Sequence, residues 1–170
     1  MNKLFLATLL LIAFQGANLS AQRMAVVDTK AILDKIPDYK EAEKKLDQIA
    51  EGWQKDVEKK YKEIDEMYKD YQANEVLLTD EMRKKREAEI VNKEKELKDF
   101  QKSKFGYEGE LFQKRKELVQ PIQDQVYDAI EKLATEKGYD IILDKSSNAS
   151  ILFSNAKFDK SEEVLKELGL

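Results

Sequence analysis

The chain has 170 residues with 34 acidic and 30 basic side chains, a net charge of −4 that argues against a nucleic-acid partner. It has no cysteine and no histidine, which excludes disulfide staples, a lipid-modified cysteine, thiol nucleophiles, the commonest general base and the usual zinc ligands. With 38% charged residues and only 2 prolines and 6 glycines, the composition is that of long solvated helices whose stability comes from packing.

The first residues are Lys3, an apolar run from Leu4 to Phe14, and Leu19-Ser20-Ala21 before Gln22. A charge, a short apolar core and small residues in that order predict a secretory signal peptide over 1–21. The apolar core falls well short of the roughly 20 residues that span a bilayer, so the exported chain is expected to be soluble. Met24-Ala25-Val26-Val27-Asp28 follows as a short buried strand. Asp28 or Thr29 can then cap a short helix carrying Ala31, Ile32 and Leu33, which ends before Pro37.

From Asp38 to about Asn74 the apolar positions are Tyr39, Ala42, Leu46, Ile49, Trp53, Val57, Tyr61, Ile64, Tyr68 and Tyr71. Their spacings alternate between three and four residues, with a local stutter near Trp53 and Val57, and so predict one long helix with a coiled-coil seam. A turn is expected around Ala73 to Leu78, with Thr79 capping a second helix that has Asp80 and Glu81 in its first turn. Its seam runs through Met82, Ile90, Leu97, Phe100, Tyr107, Leu111, Leu118, Ile122, Val126, Ala129 and Leu133, and stops at Gly138. Neither stripe can be buried alone, so the chain is expected to fold back on itself as an arm reaching ~60 Å at 1.5 Å per residue. With the apex near residue 77, Trp53 falls opposite Phe100 and Gln101.

Tyr139 to Asp144 and Ala149 to Phe153 read as two further strands. Ser161 is expected to cap a last helix with Glu162 and Glu163 in its first turn and Val164, Leu165 and Leu168 on one face. The expected fold is therefore α+β and mostly α: a long antiparallel helical hairpin over 38–117 on a small β-containing base formed from 22–37 and 118–170. Such a base is small and leaves sheet edges unpaired, so it is expected to oligomerise through Val26, Val27, Ile141, Ile142, Leu143, Ile151 and Leu152. Pro121 is expected to bend the helix where it enters the base.

No phosphate-cradling glycine loop is present. The carboxylates sit beside lysines at helical spacing, as in Glu41 with Lys45 and Glu58 with Lys62, which favours a solvated ion-pair face over catalysis. The expected work is binding, with no cofactor and no metal.

The order of signal peptide, Met24-Ala25-Val26-Val27-Asp28 strand, charged hairpin and Gly138-Tyr139-Asp140-Ile141-Ile142-Leu143-Asp144-Lys145 resembles the Skp (OmpH) family of periplasmic chaperones. Leu118-Val119-Gln120-Pro121-Ile122 and Asp159-Lys160-Ser161-Glu162-Glu163-Val164-Leu165 strengthen the likeness, which covers nearly all of the chain after Ala21. The resemblance implies a periplasmic homotrimer that holds unfolded outer-membrane proteins between its arms without ATP. The rival reading is a structural coiled-coil spacer of the cell envelope. The best-known members are strongly basic, whereas this chain has a pI near 5.2, so lipopolysaccharide binding is not carried over. Transient contact with anionic membrane headgroups falls to the one basic run, Arg83-Lys84-Lys85-Arg86, against a plain solvated face.

Among the arm aromatics, most are expected to be seam packing, while Phe105 and Phe112, with Tyr107, are the candidate client contacts. Gly106 and Gly109 bracket Tyr107 inside the second helix, where each glycine costs about 1 kcal/mol relative to alanine, and mark a candidate hinge.

Overall fold

The structure is a computed structural model that describes residues 22–147 and 151–170; the segment expected to be a signal peptide, 1–21, lies outside the described residues. Strand β1, Met24–Val27, pairs in parallel with β2, Ile141–Asp144, in the register Met24 to Ile141 through Val27 to Asp144. Parallel neighbours cannot be joined by a tight turn and need a crossover. Here the crossover is the whole helical hairpin, which is why the two ends of the sequence meet in one base.

After β1 the Asp28 carboxylate accepts from the Ala31 N–H at 2.8 Å and caps α1, Thr29–Leu33. Helix α2, Pro37–Asn74, starts with proline in its first turn, where the missing N–H costs nothing. A 3-10 turn over Glu75–Leu77 forms the apex, and the Thr79 hydroxyl accepts from the Met82 N–H to start α3, Asp80–Phe105. The descending arm then departs from the single helix that the seam predicts. It breaks at Gly106-Tyr107-Glu108-Gly109 and resumes as α4, Glu110–Lys137. Pro121 lies inside α4 and does not end it. Gly138 adopts φ 65°, and the Tyr139 N–H closes the last turn on the Ala134 carbonyl at 2.9 Å.

The pleat sends alternate side chains of the two strands to opposite faces. Val27 and Ile142 face the main core with Ile32, Leu33, Val119, Ile122, Val126, Ala129, Leu133, Val164 and Leu165. Ala42 and Leu46 of α2 belong to the same cluster, so the core of the base reaches past residue 38 into the root of the hairpin. Farther out, the arm holds only a thin second cluster of Val57, Ile64 and Leu97 with Phe100 against it, and a buried Ile90.

The expected third strand is absent where it can be seen. Residues 151–155 have no regular structure, and Ala149 and Ser150 lie outside the described residues. β1 has β2 on one side and, at Val26 alone, a bridge to Asp159 on the other, so residue 159 and not the 151–153 segment lies against that edge of β1. A short 3-10 turn, Ala156–Phe158, leads instead into α5, Ser161–Glu167.

The start of α5 also differs from expectation, because Ser161 is its first residue and Asp159 does the capping. Asp159 Oδ1 accepts from the Ser161 N–H at 3.0 Å and from its hydroxyl at 2.7 Å, while Oδ2 accepts from Lys145 Nζ at 2.7 Å. The Ser161 hydroxyl oxygen in turn accepts from the Asp28 N–H at 2.9 Å, so one carboxylate ties α5 to β1 and β2. Burial would raise the Asp159 pKa, but the hydrogen bonds from Lys145 and Ser161 outweigh it and hold the carboxyl at about 2, below its ordinary 3.8. A depressed folded pKa gives stability that is complete above the ordinary value and is lost as pH falls towards about 2. Asp159→Asn is therefore expected to lower the unfolding midpoint at neutral pH and to flatten its decline between pH 4 and about 2. An unchanged acid slope would assign that decline to other carboxylates.

Candidate functional site

The register of the hairpin decides which arm residues are used up in packing. Trp53 meets Phe105 edge-on, with ring centroids 6.1 Å apart and planes at 85°. The Tyr71 hydroxyl donates to Glu87 at 2.6 Å, and Arg115 pairs with Glu43 at 3.0 Å. All three pairs centre on residue 79 and not on 77, because α2 runs to Asn74 and the 3-10 turn carries the apex beyond it. The same centre holds on both sides of the Gly106–Gly109 break, so the break adds no offset between the arms.

This register corrects the reading of Phe105. It is not off the seam: its ring packs on Trp53 and is 39% exposed. Tyr107 moves the other way, since the break lifts it out of the seam phase and leaves it 96% exposed. Phe112, in the first turn of α4, is 50% exposed. Tyr61, Val91 and Met82 add exposed apolar surface along the arm although Tyr61 and Met82 match the seam spacing, and Val76 and Leu77 protrude at the apex. Tyr68, also a seam position, leans outward and donates its hydroxyl to Glu94 at 2.9 Å. These rings mark the margins of the seam, a distinction that spacing alone cannot make.

The basic run at the apex is half engaged. Arg86 pairs with Asp70 at 3.1 Å and with Glu89 at 3.3 Å, and Arg83 donates to the Leu78 carbonyl. No ion pair is formed by Lys84 or Lys85 among the described residues. The helix faces carry the expected ion pairs in part: Lys45 bonds Glu41 at 2.7 Å and holds that carboxyl below its ordinary pKa, but no pair joins Glu58 to Lys62 among the described residues.

On the base, the seven candidate contact residues divide by strand face. Val27 and Ile142 are consumed by the chain's own core, which corrects their assignment to an outer surface. Val26, Leu143 and Ile151 instead line an apolar groove of about 430 Å³ together with Met24, Phe153 and Phe158. Ile141 is exposed beside it, and Leu152 and Phe153 stand out at 98% and 84% exposure. Sequence reasoning did not find Phe158 or Met24 as groove residues: Phe158 reaches the groove through the bridge that draws residue 159 against β1, and Met24 shares a strand face with Val26.

The profile of the outer membrane protein (OmpH-like) family matches residues 23–168. The chain is 23% identical over 159 residues to the chaperone protein Skp of Pectobacterium atrosepticum, an alignment covering 94% of this chain and 93% of that protein. Its fold is similar to the crystal structure of a proposed outer membrane chaperone (OmpH-like) from Caulobacter crescentus, with a TM-score of 0.67 and 11% identity over 88% of this chain and 85% of the other.

Proposed function

Since the chain belongs to the outer membrane protein (OmpH-like) family, we propose that it is an ATP-independent holdase chaperone of the periplasm that binds unfolded outer-membrane proteins and prevents their aggregation. The observation that carries this reading is the surplus of exposed apolar side chains on an arm whose own core is thin, with Tyr107 and Phe112 beside the break and Val76 and Leu77 at the apex. An unfolded β-barrel chain exposes alternating apolar residues that associate in water. Many weak contacts to scattered rings shield such a chain without selecting one sequence. No reacting group enters this account.

In the same reading the base forms a homotrimer, each copy seating Leu152 against the groove of a neighbour, of which Phe153 forms one wall. Apolar side chains as exposed as these beside an open apolar groove are the mark of an interaction surface.

The test is dilution of a urea-unfolded outer-membrane β-barrel protein into buffer with and without the full chain, followed by light scattering. Suppression at a stoichiometric ratio without nucleotide is the expected result. Undiminished scattering would favour the rival reading, a structural spacer of the envelope.

A further inference from the structure

Four residues, Gly106-Tyr107-Glu108-Gly109, interrupt the descending arm, and one side chain spans the interruption. Lys104, in the last turn of α3, has its ammonium 4.9 Å from the ring centroid of Trp53 on α2 and 5.5 Å from that of Phe100 on α3. It also donates to Glu110 Oε1 at 2.5 Å, and Glu110 is the first residue of α4. A single ammonium therefore touches all three long helices, and the Lys104 side chain is only 18% exposed. Both aromatic distances lie within the range in which a cation is attracted to a ring face. Each charge also suits its own helix end, the cation at the C-terminus of α3 and the carboxylate at the N-terminus of α4.

The backbone of the break has little else to hold it. Its backbone hydrogen bonds run from the Gly106 N–H to the Lys102 carbonyl and from the Gly109 N–H to the Gly106 carbonyl, each 2.9 Å, and from the Gln113 N–H to the Gly109 carbonyl at 3.1 Å, where α4 starts. Glu108 sits at φ 56°, a region that side chains other than glycine, asparagine and aspartate seldom occupy. On the opposite arm, Gly52 immediately precedes Trp53, and a Cβ there would meet no atom within 4 Å. Packing therefore does not require that glycine, yet it weakens α2 at the level of the break. Both arms are soft at one height, and Lys104 lies there.

We propose that Lys104 is the latch of a hinge in the arm. Seated over Trp53 and Phe100 and bonded to Glu110, it fixes the direction of α3 relative to α4. When it is released, the outer hairpin swings about Gly106–Gly109 and Gly52. The inference goes beyond the holdase reading and does not depend on it, since it concerns the arm with or without a client.

The chain has no cysteine, so spin labels can be placed cleanly. Asn92→Cys on α3 and Gln120→Cys on α4 carry the labels, with labelled full-length chains diluted into excess unlabelled chain so that distances are read within one copy. Lys104→Met, which keeps the apolar stem, and Glu110→Gln, which keeps the shape, are each expected to broaden the distance distribution at least twofold by double electron–electron resonance. Lys102→Met, in the same helix turn but outside the latch, is expected to leave it unchanged. Distributions as narrow as the parent's in both latch variants, or equal broadening by Lys102→Met, would overturn the proposal. If Lys104→Met loses helix content, the isosteric Glu110→Gln decides alone.

Discussion

On the proposal that the base forms a homotrimer, replacing Leu152 and Phe153 together by aspartate is expected to leave a monomer with unchanged helix content. Both side chains are almost fully exposed in the single chain and belong to none of its cores, so the fold loses nothing by the change. In an assembly they would be buried, at roughly 1.5–3 kcal/mol for each side chain removed from water. Losing both weakens each interface by on the order of 10²–10⁴-fold, before the cost of burying two carboxylates is counted. Native mass spectrometry reads the outcome directly. An unchanged oligomer mass would remove this surface from the interface.

The second large effect is expected in the base. Leu133 is 1% exposed and packs in the cluster that joins α4 to α1, α5 and the root of α2. Leu133→Ala should cost about 2–5 kcal/mol, the range for truncating a well-packed core leucine. Because two strands and two short helices depend on this one cluster, the base should unfold as a unit, seen as a lowered urea midpoint. A change below about 1 kcal/mol would show that the site collapses around the smaller side chain and that the core is looser than its burial indicates.

The helical hairpin was readable because a seam of alternating three- and four-residue steps has one common solution, and Thr79 marks its restart. The base strands were readable for a similar local reason, the apolar Met24–Val27 with its β-branched Val26 and Val27, and the apolar Ile141–Leu143. Three features were not. Tyr107 keeps the seam spacing, so periodicity carried the helix straight through Gly106 and Gly109; the break shows only in the backbone. Phe105 falls out of step with the seam positions Phe100 and Tyr107, and an apex at 77 instead of 79 shifts every cross-arm pairing by four, which sets Trp53 against Gln101 and hides its contact with Phe105. The strand expected at 151–153 does not join β1; the bridge to Val26 comes instead from residue 159, a long-range contact that no local pattern reveals.

The site was legible as residue types more than as a surface. Aromatics at 105, 107 and 112 stood out, but their division into packed and exposed required the register. Val27 and Ile142 illustrate the same limit in the base, since strand alternation states that neighbours face apart without stating which face meets the helices.

The claim that the arm, and not the base, receives the client is tested most directly by site-specific photo-crosslinking. A photoreactive phenylalanine analogue is placed in turn at Tyr107, at Phe112 and at Tyr127, which is exposed on the base, in otherwise intact chain mixed with an unfolded outer-membrane barrel. Client adducts at 107 and 112 and none at 127 are predicted. Adducts at 127 with none on the arm would contradict the account.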